Sequence, residues 1–398
     1  MLRAELIELL SPEGLRLLDS LPPYESRRDV VQLVAELRAQ GHSPSLVAAV
    51  LTQAKLRGKA GGPAGKFGDF ASRMLFTEAG LEQATRLNVA ARHAARYRDA
   101  GVETVADLGC GIGGDAMALA ALGLRVTAVD RDEVTAAIAS YNLAPFDDAV
   151  VEHGDAEDFD ISRVDALWLD PARRTAGHSD TRRLRSTDDW SPSLDWIFNA
   201  ASRMPVGVKL GPAFDRDLIP GSAEAQWVSV GGQVVELGLW FGPLARPGVT
   251  RAALLLGTGG AHELTAAADA PDEPAGALGD YLYEPDGAVI RARLIGDLAR
   301  SLGGRMIGDG IAYLTADAPH PTPFAQGFRI VDELPYAEKQ LRQALRARGI
   351  GALEIKKRGV DVDPAKLRTR LALKGDTAAT LILTRVAGRH TALLAERL

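Results

Sequence analysis

Two stretches of this chain carry residue types at spacings that suit chemistry. The first spans residues 104–130. An apolar run, 104–108, enters a turn holding Gly109, Gly111, Gly113 and Gly114; a helix-like segment, 116–122, follows, and a second apolar run, 126–129, ends in Asp130. Glycines without a Cβ let backbone pass close beneath a nucleotide-like ligand, and an acid ending the second strand can accept both hydroxyls of a ribose. Asp130 lies 21 residues beyond Gly109, the spacing this role needs. The second stretch is an apolar strand, 165–169, that ends in Asp170 and Pro171 and continues into Ala172, Arg173 and Arg174. In an open α/β sheet, the space outside the carboxyl end of such a strand is where ligands react.

The loop also holds acids. Asp107 lies on the strand leading in, and Asp115 stands where the helix begins. A dinucleotide diphosphate seeks a helix N-terminus without such charges. Two carboxylates suit instead a cofactor with a cationic amino group and no phosphate, and this points to S-adenosylmethionine. A nicotinamide cofactor, or a structural unit with no ligand, is the alternative. Gly58 to Gly68 superficially has the form of a P-loop, but Ala60 and Phe67 stand where that motif needs Gly and Ser or Thr.

Composition narrows the class. The chain has 398 residues, 46% hydrophobic and 25% charged, which suits a soluble protein of two or three domains. No apolar run approaches the roughly 18 residues of a membrane span, and the first residues lack a signal-peptide core, so a cytoplasmic location is expected. The single cysteine, Cys110, excludes an intrachain disulfide and a cysteine zinc site; no metal is expected. A net charge of −6 offers no overall attraction for nucleic acid, so that argument has to be local.

The elements that would position these groups follow in order. Residues 1–57 read as helices: Val30, Leu33, Val34 and Leu37 form one stripe, and Ser43-Pro44 has the form of an N-cap with proline at the first helical position. A small helical bundle is expected, with RNA contact the alternative. A segment from Ser72 and a helix to Tyr97 lead into the first strand. Phe76 and Thr77 suit either a lid or packing, and His93 reads as a surface residue. The segment from His153 brings Asp155 and Ala156 to the end of the third strand. Later strands are expected at 206–210, 226–230, 233–241 and 251–256, with Gly231-Gly232 as a tight turn. Between strands four and five, Arg182, Arg183, Arg185, Trp190 and Trp196 suit either nucleic-acid stacking or a packed helix. Residues 258–279 read as a linker. Beyond it, from Lys339 to Lys374, eleven Lys or Arg stand against three acids, a local charge of about +8. Lys356, Lys357, Arg358, Arg368 and Arg370 are its candidates for a phosphate-bearing partner; a solvated basic face is the alternative.

The string Asp107-Leu108-Gly109-Cys110-Gly111-Ile112-Gly113-Gly114 resembles motif I of the class I methyltransferases. Together with Val129-Asp130, Tyr141-Asn142, His153-Gly154-Asp155 and Leu169-Asp170-Pro171, it is similar in order and spacing to the trimethylguanosine-synthase-like group, which modifies the guanine amino group of RNA. The resemblance covers residues 72–256 and implies an α/β, Rossmann-like sheet of seven strands with the last one antiparallel. It implies that Gly109, Gly111 and Gly113 shape the cofactor loop with Cys110, that Asp107 lies near the methionine amino group, that Asp130 with Arg131 holds the ribose, and that Asp155 with Ala156 holds the adenine, Asp158 being the alternative acid. Asp170 and the Pro171 backbone would orient a target amino group, which is positioning rather than strong base catalysis. The pattern departs where Ala172 replaces a second proline and Arg173 an aromatic residue, so cap-type guanine recognition does not carry over; a guanidinium plane can still stack on a base or pair with phosphate. Carbon-5 uridine methylation needs a cysteine nucleophile, and Cys110 sits in the cofactor loop. The part from Tyr281 resembles the THUMP-like domain attached to bacterial methyltransferases of this kind.

The expected organisation is a helical region and Gly-rich linker (1–71), a methyltransferase domain (72–257), a linker (258–279) and a C-terminal α+β domain that binds RNA (280–398). The expected function is S-adenosylmethionine-dependent methylation of a base nitrogen in RNA, with Arg173 and Arg174 assisting base or phosphate. The rivals are methylation of a small molecule or protein, and a non-catalytic module that binds cofactor or RNA.

Overall fold

The computed structural model of the protein describes residues 3–21, 27–173 and 190–398. The chain divides into two compact units, Met1–Lys209 with Trp240–Leu244, and Leu210–Leu239 with Ala245–Leu398. The division therefore falls after the fifth parallel strand rather than in the expected linker.

The first unit begins with four helices, α1 (Arg3–Leu9), α2 (Pro12–Ser20), α3 (Arg27–Ala39) and α4 (Pro44–Ala60). Ser11 and Ser43 cap α2 and α4, each accepting a backbone N–H (Gly14 and Leu46, both at 3.0 Å) immediately before a proline in the first turn. On α3, Leu37 is buried and Leu33 and Val34 half-buried, as the stripe requires; the side chain of Val30 lies outside the described residues. Gln53 of α4 is fully buried and holds residue 76 at both backbone groups, donating to Phe76 O at 2.7 Å and accepting from Phe76 N at 2.9 Å. Phe76 is likewise fully buried, its ring 5.6 Å from that of Phe67. Its role is packing, not a lid. Thr77 caps α5 (Glu78–Gln83) through the Gly80 amide.

Next come α6 (Leu87–Asp99), β1 (Thr104–Leu108), α7 (Gly114–Ala121), β2 (Arg125–Asp130), α8 (Glu133–Leu143), β3 (Ala149–His153) and β4 (Ala166–Leu169). A two-stranded ribbon follows, β5 (Ala172–Arg173) antiparallel to β6 (Trp190–Ser191), then α9 (Leu194–Ala201) and β7 (Val206–Leu210). Four further strands are β8 (Glu224–Val230), β9 (Gln233–Phe241), β10 (Arg251–Gly257) and β11 (Gly260–Ala266). The sheet order is β11-β10-β8-β9-β7-β4-β1-β2-β3. Strands β3, β2, β1, β4 and β7 run parallel, with Leu108 opposite both Val129 and Leu169, so their carboxyl ends finish level. Gly231 and Gly232 form a two-residue turn at φ 57° and 81°, a conformation that makes β8 and β9 an antiparallel hairpin. The expected seven strands are present, the last of them antiparallel. Two more extend the sheet: β10 parallel to β8, and β11 antiparallel to β10. Strand β11 occupies part of the segment read as a linker, which corrects that expectation.

The second unit holds a separate seven-stranded sheet. Its strands are β12 (Tyr281–Pro285), β13 (Arg305–Met306), β14 (Leu314–Ala316), β15 (Ala325–Leu334), β16 (Ile350–Lys357), β17 (Thr377–Val386) and β18 (Arg389–Arg397), in the order β13-β14-β12-β15-β18-β17-β16. Helices α10 (Gly287–Arg291), α11 (Ile295–Ser301), α12 (Glu338–Ala347) and α13 (Pro364–Leu371) accompany it. Leu341 and Leu345 of α12, and Leu367 and Leu371 of α13, share a buried cluster with Leu353, Leu381 and Leu383 of the sheet. This is the expected α+β arrangement.

An aromatic cluster supports the middle of the large sheet. Trp168 of β4 stacks on Trp240 at 5.6 Å, and the buried Tyr97 hydroxyl donates to Leu167 O at 2.6 Å. Gly207 of β7 makes room for it: a Cβ there would stand 2.5 Å from the Tyr97 hydroxyl, 2.8 Å from Trp240 and 2.9 Å from Trp168. Gly207→Ala is expected to lower stability by roughly 1–3 kcal/mol, the usual cost of overpacking a filled core; chemical denaturation with an unchanged m-value would show it.

Candidate functional site

The glycine loop is shaped by its own backbone. Gly109 and Cys110 both donate to Val129 O, at 2.9 and 3.0 Å, drawing the loop over the end of β2. Gly109 has φ 89°, and a Cβ on it would press to 3.2 Å from the carbonyl oxygen of Asp170. Only glycine lets the cofactor loop and the Asp170-Pro171 turn approach this closely. Gly113, at φ 83°, turns the chain into α7. Asn142 of α8 braces the outside: its side chain donates to Ile112 O (2.9 Å) and Leu75 O (3.0 Å) and accepts from Leu75 N (2.8 Å).

Four carboxylates gather along this edge, each in a different condition. Asp130 ends β2 with one oxygen accepting from Gly111 N (3.0 Å) and the other from Asp132 N (2.9 Å). Burial raises its pKa, while the two amides oppose that shift. Asp115, buried at the start of α7, accepts from the Thr85 hydroxyl at 2.6 Å and pairs with His93 Nδ1 at 2.9 Å. Burial pushes its pKa up, but the His93 hydrogen bond and charge, Lys209 and Thr85 outweigh burial and hold it below the usual carboxylate range. Both oxygens are thus engaged within the protein, which takes Asp115 out of the pair expected to meet a cationic amine. His93 is correspondingly not a surface residue: it is buried, with its ring 4.4 Å from Trp168.

Asp107 is the exception. It is 1% exposed, and neither carboxylate oxygen forms a hydrogen bond of good geometry, although the Ala116 amide favours its ionised form. Burial raises its pKa well above the usual range, reinforced by the neighbouring charges of Asp115 and Asp170, with Lys209 acting in the opposite direction. A buried acceptor pair left open is costly. A ligand that brings an ammonium would remove that cost.

Asp170 ends β4 and pairs with Lys209 Nζ at 2.5 Å. Lys209, on β7, was missed in the sequence. A lysine near the carboxyl end of an otherwise apolar central strand was the signal that could have found it, since charges in such strands are buried unless they face a site. Its ammonium also donates to Thr85 Oγ1 at 3.1 Å. Pro171 is buried and Arg173 is the second residue of β5, opposite Trp190; the Arg173 side chain and Arg174 lie outside the described residues, as do Arg182, Arg183 and Arg185. Trp190 is buried in β6, and Trp196 on α9 is half-buried. Arg131 reaches this ribbon, donating to Ser191 Oγ at 3.2 Å.

On the far rim, Gly154 N donates to Asp130 O at 3.1 Å, bringing the loop after β3 beside β2. Asp155 is exposed there, accepting from Glu157 N at 3.0 Å, with Ala156 half-buried next to it. Cys110 is buried, and burial raises its thiol pKa well above the ordinary value, with Asp107 and Asp130 adding to the shift. It is a poor thiolate and therefore a poor nucleophile.

The basic candidates of the second unit are largely engaged with nearby acids and backbone carbonyls. Lys356 pairs with Glu284 at 2.5 Å, Arg358 lies 3.8 Å from the same carboxylate, and Arg370 pairs with Glu338 at 2.9 Å. Arg368 Nε donates to Leu353 O at 3.0 Å. Lys357 is exposed. The tract is thus a mixed-charge surface rather than the uniform cationic face its sequence suggests.

The chain matches the THUMP domain-like family over residues 325–397 and a domain of unknown function (DUF8688) over residues 3–60. It is 34% identical over 360 residues, 86% of this chain and 93% of the relative, to an uncharacterized S-adenosylmethionine-dependent methyltransferase of Mycobacterium tuberculosis (strain CDC 1551 / Oshkosh). The same figures hold for its counterpart in strain ATCC 25618 / H37Rv. The crystal structure of a "putative methyltransferase" from Porphyromonas gingivalis W83 shares the fold, with a TM-score of 0.70 at 20% identity, covering 94% of this chain and 99% of that one. These relatives, at 34% identity over most of both chains, show that the chain belongs to the S-adenosylmethionine-dependent methyltransferases.

Proposed function

We propose that the protein methylates a base nitrogen, the exocyclic amino group of guanine or adenine, in RNA. The observation that carries this reading is the position of Asp170: a carboxylate at the end of β4, paired with Lys209, its own carbonyl against the Gly109 backbone of the cofactor loop. When bound, the cofactor supplies an electrophilic methyl group on a sulfonium. Asp107 would accept from the ammonium of its methionine part, Asp130 from the ribose hydroxyls and Asp155 from the adenine amino group. Gly109, Cys110, Gly111 and Gly113 would pass beneath it, with Arg131 and Ala156 flanking. Asp170, held ionised by the lysine ammonium, accepts a hydrogen bond from an amino group and aims the nitrogen lone pair; this is orientation at low cost rather than proton abstraction. The Pro171 backbone would complete that contact, and Arg173 and Arg174 would stack on the base or meet phosphate.

The THUMP domain-like match supports RNA as the substrate class. Lys356, Lys357, Arg358, Arg368 and Arg370 would meet its phosphates, Lys357 with the least rearrangement. A second reading, methylation of a small molecule or protein, is favoured by the intrachain engagement of Lys356, Arg358, Arg368 and Arg370. Transfer of radiolabelled methyl to total RNA from a strain lacking the protein separates the two. Label in a methylated guanosine or adenosine, lost in Asp170→Ala, is the expected result; cofactor binding without label in RNA would favour the second reading.

Asp107 gives a prediction of unusual sign. Its raised pKa means the folded protein holds this proton more tightly than the unfolded chain. That contribution is present at low pH and is lost as pH rises from the usual carboxylate range through the raised value. Asp107→Asn should therefore raise the melting temperature of the ligand-free protein above neutral pH while weakening cofactor binding about 10- to 100-fold, the worth of a charged hydrogen bond. Calorimetry and thermal unfolding on the same samples test both halves.

A further inference from the structure

Behind Asp170 runs a chain of polar contacts with no part in holding the cofactor. Lys209 Nζ pairs with Asp170 Oδ2 at 2.5 Å and donates to Thr85 Oγ1 at 3.1 Å. Thr85 Oγ1 donates to Asp115 Oδ2 at 2.6 Å, and Asp115 Oδ1 meets His93 Nδ1 at 2.9 Å. The His93 ring lies 4.4 Å from Trp168, which belongs to the same strand that ends in Asp170. Thr85, His93 and Asp115 are each less than a tenth exposed, and the Lys209 side chain is 11% exposed.

The chemistry of each member is restricted. A lysine ammonium has three donors and no acceptor; they go to the Asp170 carboxylate, to Thr85 and, at 3.4 Å, to the backbone oxygen of Gln83. The Thr85 hydroxyl has a single proton, and it goes to Asp115, so its lone pair must face Lys209. Asp115 with its second oxygen on His93 cannot turn without breaking a bond. Each contact fixes the donor direction of the next, and the series ends in an imidazole wedged among aromatic rings. We propose that Lys209 is the positioning residue of the reaction, and that the buried series Lys209–Thr85–Asp115–His93 is the strut that holds Asp170 ionised and fixed in the direction that receives the target amino group. The proposal rests on the reading of Asp170 given above. It concerns a side chain that touches neither substrate nor cofactor in that reading.

Titratable groups from four other elements lie near Asp170 among the described residues. Asp107 comes from β1, Asp115 from the start of α7, His93 from α6, and Lys209 from β7. Lys66, from the turns after α4, stands near Lys209: its pKa is lowered to about 8 by burial and then by Lys209. Two of these groups are acids, and with Asp170 they discourage ionisation of one another. Without the lysine ammonium, a carboxyl in this company holds its proton to higher pH, and a protonated Asp170 offers a donor where the substrate needs an acceptor.

The test uses the full chain with four substitutions, Lys209→Met, Lys209→Arg, Asp170→Ala and Asp170→Asn, and the double variant Lys209→Met/Asp170→Asn. Single-turnover methyl transfer to total RNA from a strain lacking the protein is measured from pH 6 to 9, with calorimetric affinity for S-adenosylmethionine and thermal unfolding on the same samples. Lys209→Met is expected to keep cofactor affinity within about threefold, lose roughly 100-fold in rate, and move the acidic limb of the pH–rate profile upward, because Asp170 then ionises later. Lys209→Arg should restore most of the rate and return the limb. In unfolding, the two single substitutions should each lower the melting temperature, and the double variant should regain much of the loss, since each single change strands a charged partner. Wild-type rate and pH profile in Lys209→Met, with Asp170→Ala inactive, would overturn the strut while leaving the function intact. Full activity of Asp170→Ala would instead overturn the role of Asp170 itself, and the strut with it. If no RNA is labelled by the wild-type protein, additive melting temperatures in the double variant overturn the coupling, and non-additive ones uphold it.

Discussion

A carboxylate closed off from water without a well-formed hydrogen bond is the constraint to which the first unit answers. Asp107 stands in the middle of a parallel sheet, on the strand that enters the cofactor loop, and both its oxygens are open. Parallel sheets are covered on both faces and read as continuous apolar strands, so an acid there costs stability unless something pairs with it. The surrounding acids show how the fold handles the same problem elsewhere. Asp115 is given Thr85 and His93, Asp170 is given Lys209, and Asp130 is given two backbone amides. Asp107 is the least satisfied of the four, with the Ala116 amide alone opposing its burial from the backbone. A cofactor with a free ammonium fits that vacancy in charge and in donor number, and a diphosphate would worsen it.

The scaffold keeps this arrangement from collapsing. Asn142 ties the cofactor loop to the segment at Leu75, and Gln53 ties residue 76 to the N-terminal helices, so α4 acts through one residue on the rim of the site. These amide side chains bond backbone on both their donor and acceptor ends, a geometry that a rotation of the amide would destroy. The N-terminal region is therefore part of the catalytic unit's architecture. The second unit stands apart in character, with its own core and a surface of closely spaced opposite charges.

Much of the site was readable because it is local in sequence. The glycines, Asp107, Asp130 and the Asp170-Pro171 turn each follow a short apolar strand, and strand-then-glycine or strand-then-acid is visible in a window of a dozen residues. What was misread depends on partners far away. Lys209 reaches Thr85 across 124 positions, a pairing with no local trace. His93 was legible and overlooked: Val89, His93 and Tyr97 fall on one helical stripe, and all three are buried. The pairing of the basic tract was likewise hidden, because a running charge sum counts Lys356, Arg358 and Arg370 but not Glu284 and Glu338, which the fold brings to them. Strand β11 was hidden by composition, since a β-hairpin partner rich in Ala and Gly looks like a linker until its neighbour is known.

The most direct test of the account is the proton balance of cofactor binding. Calorimetric titration of S-adenosylmethionine into the protein, in buffers of different ionisation enthalpy at a series of pH values from the usual carboxylate range upward, reports how many protons leave or enter on binding. If the ammonium seats on Asp107, the wild-type protein releases protons as that carboxyl ionises, and Asp107→Asn binds with no such release. Buffer-independent enthalpies for the wild-type protein, or equal release by both proteins, would contradict the claim that this carboxylate is the ammonium's seat.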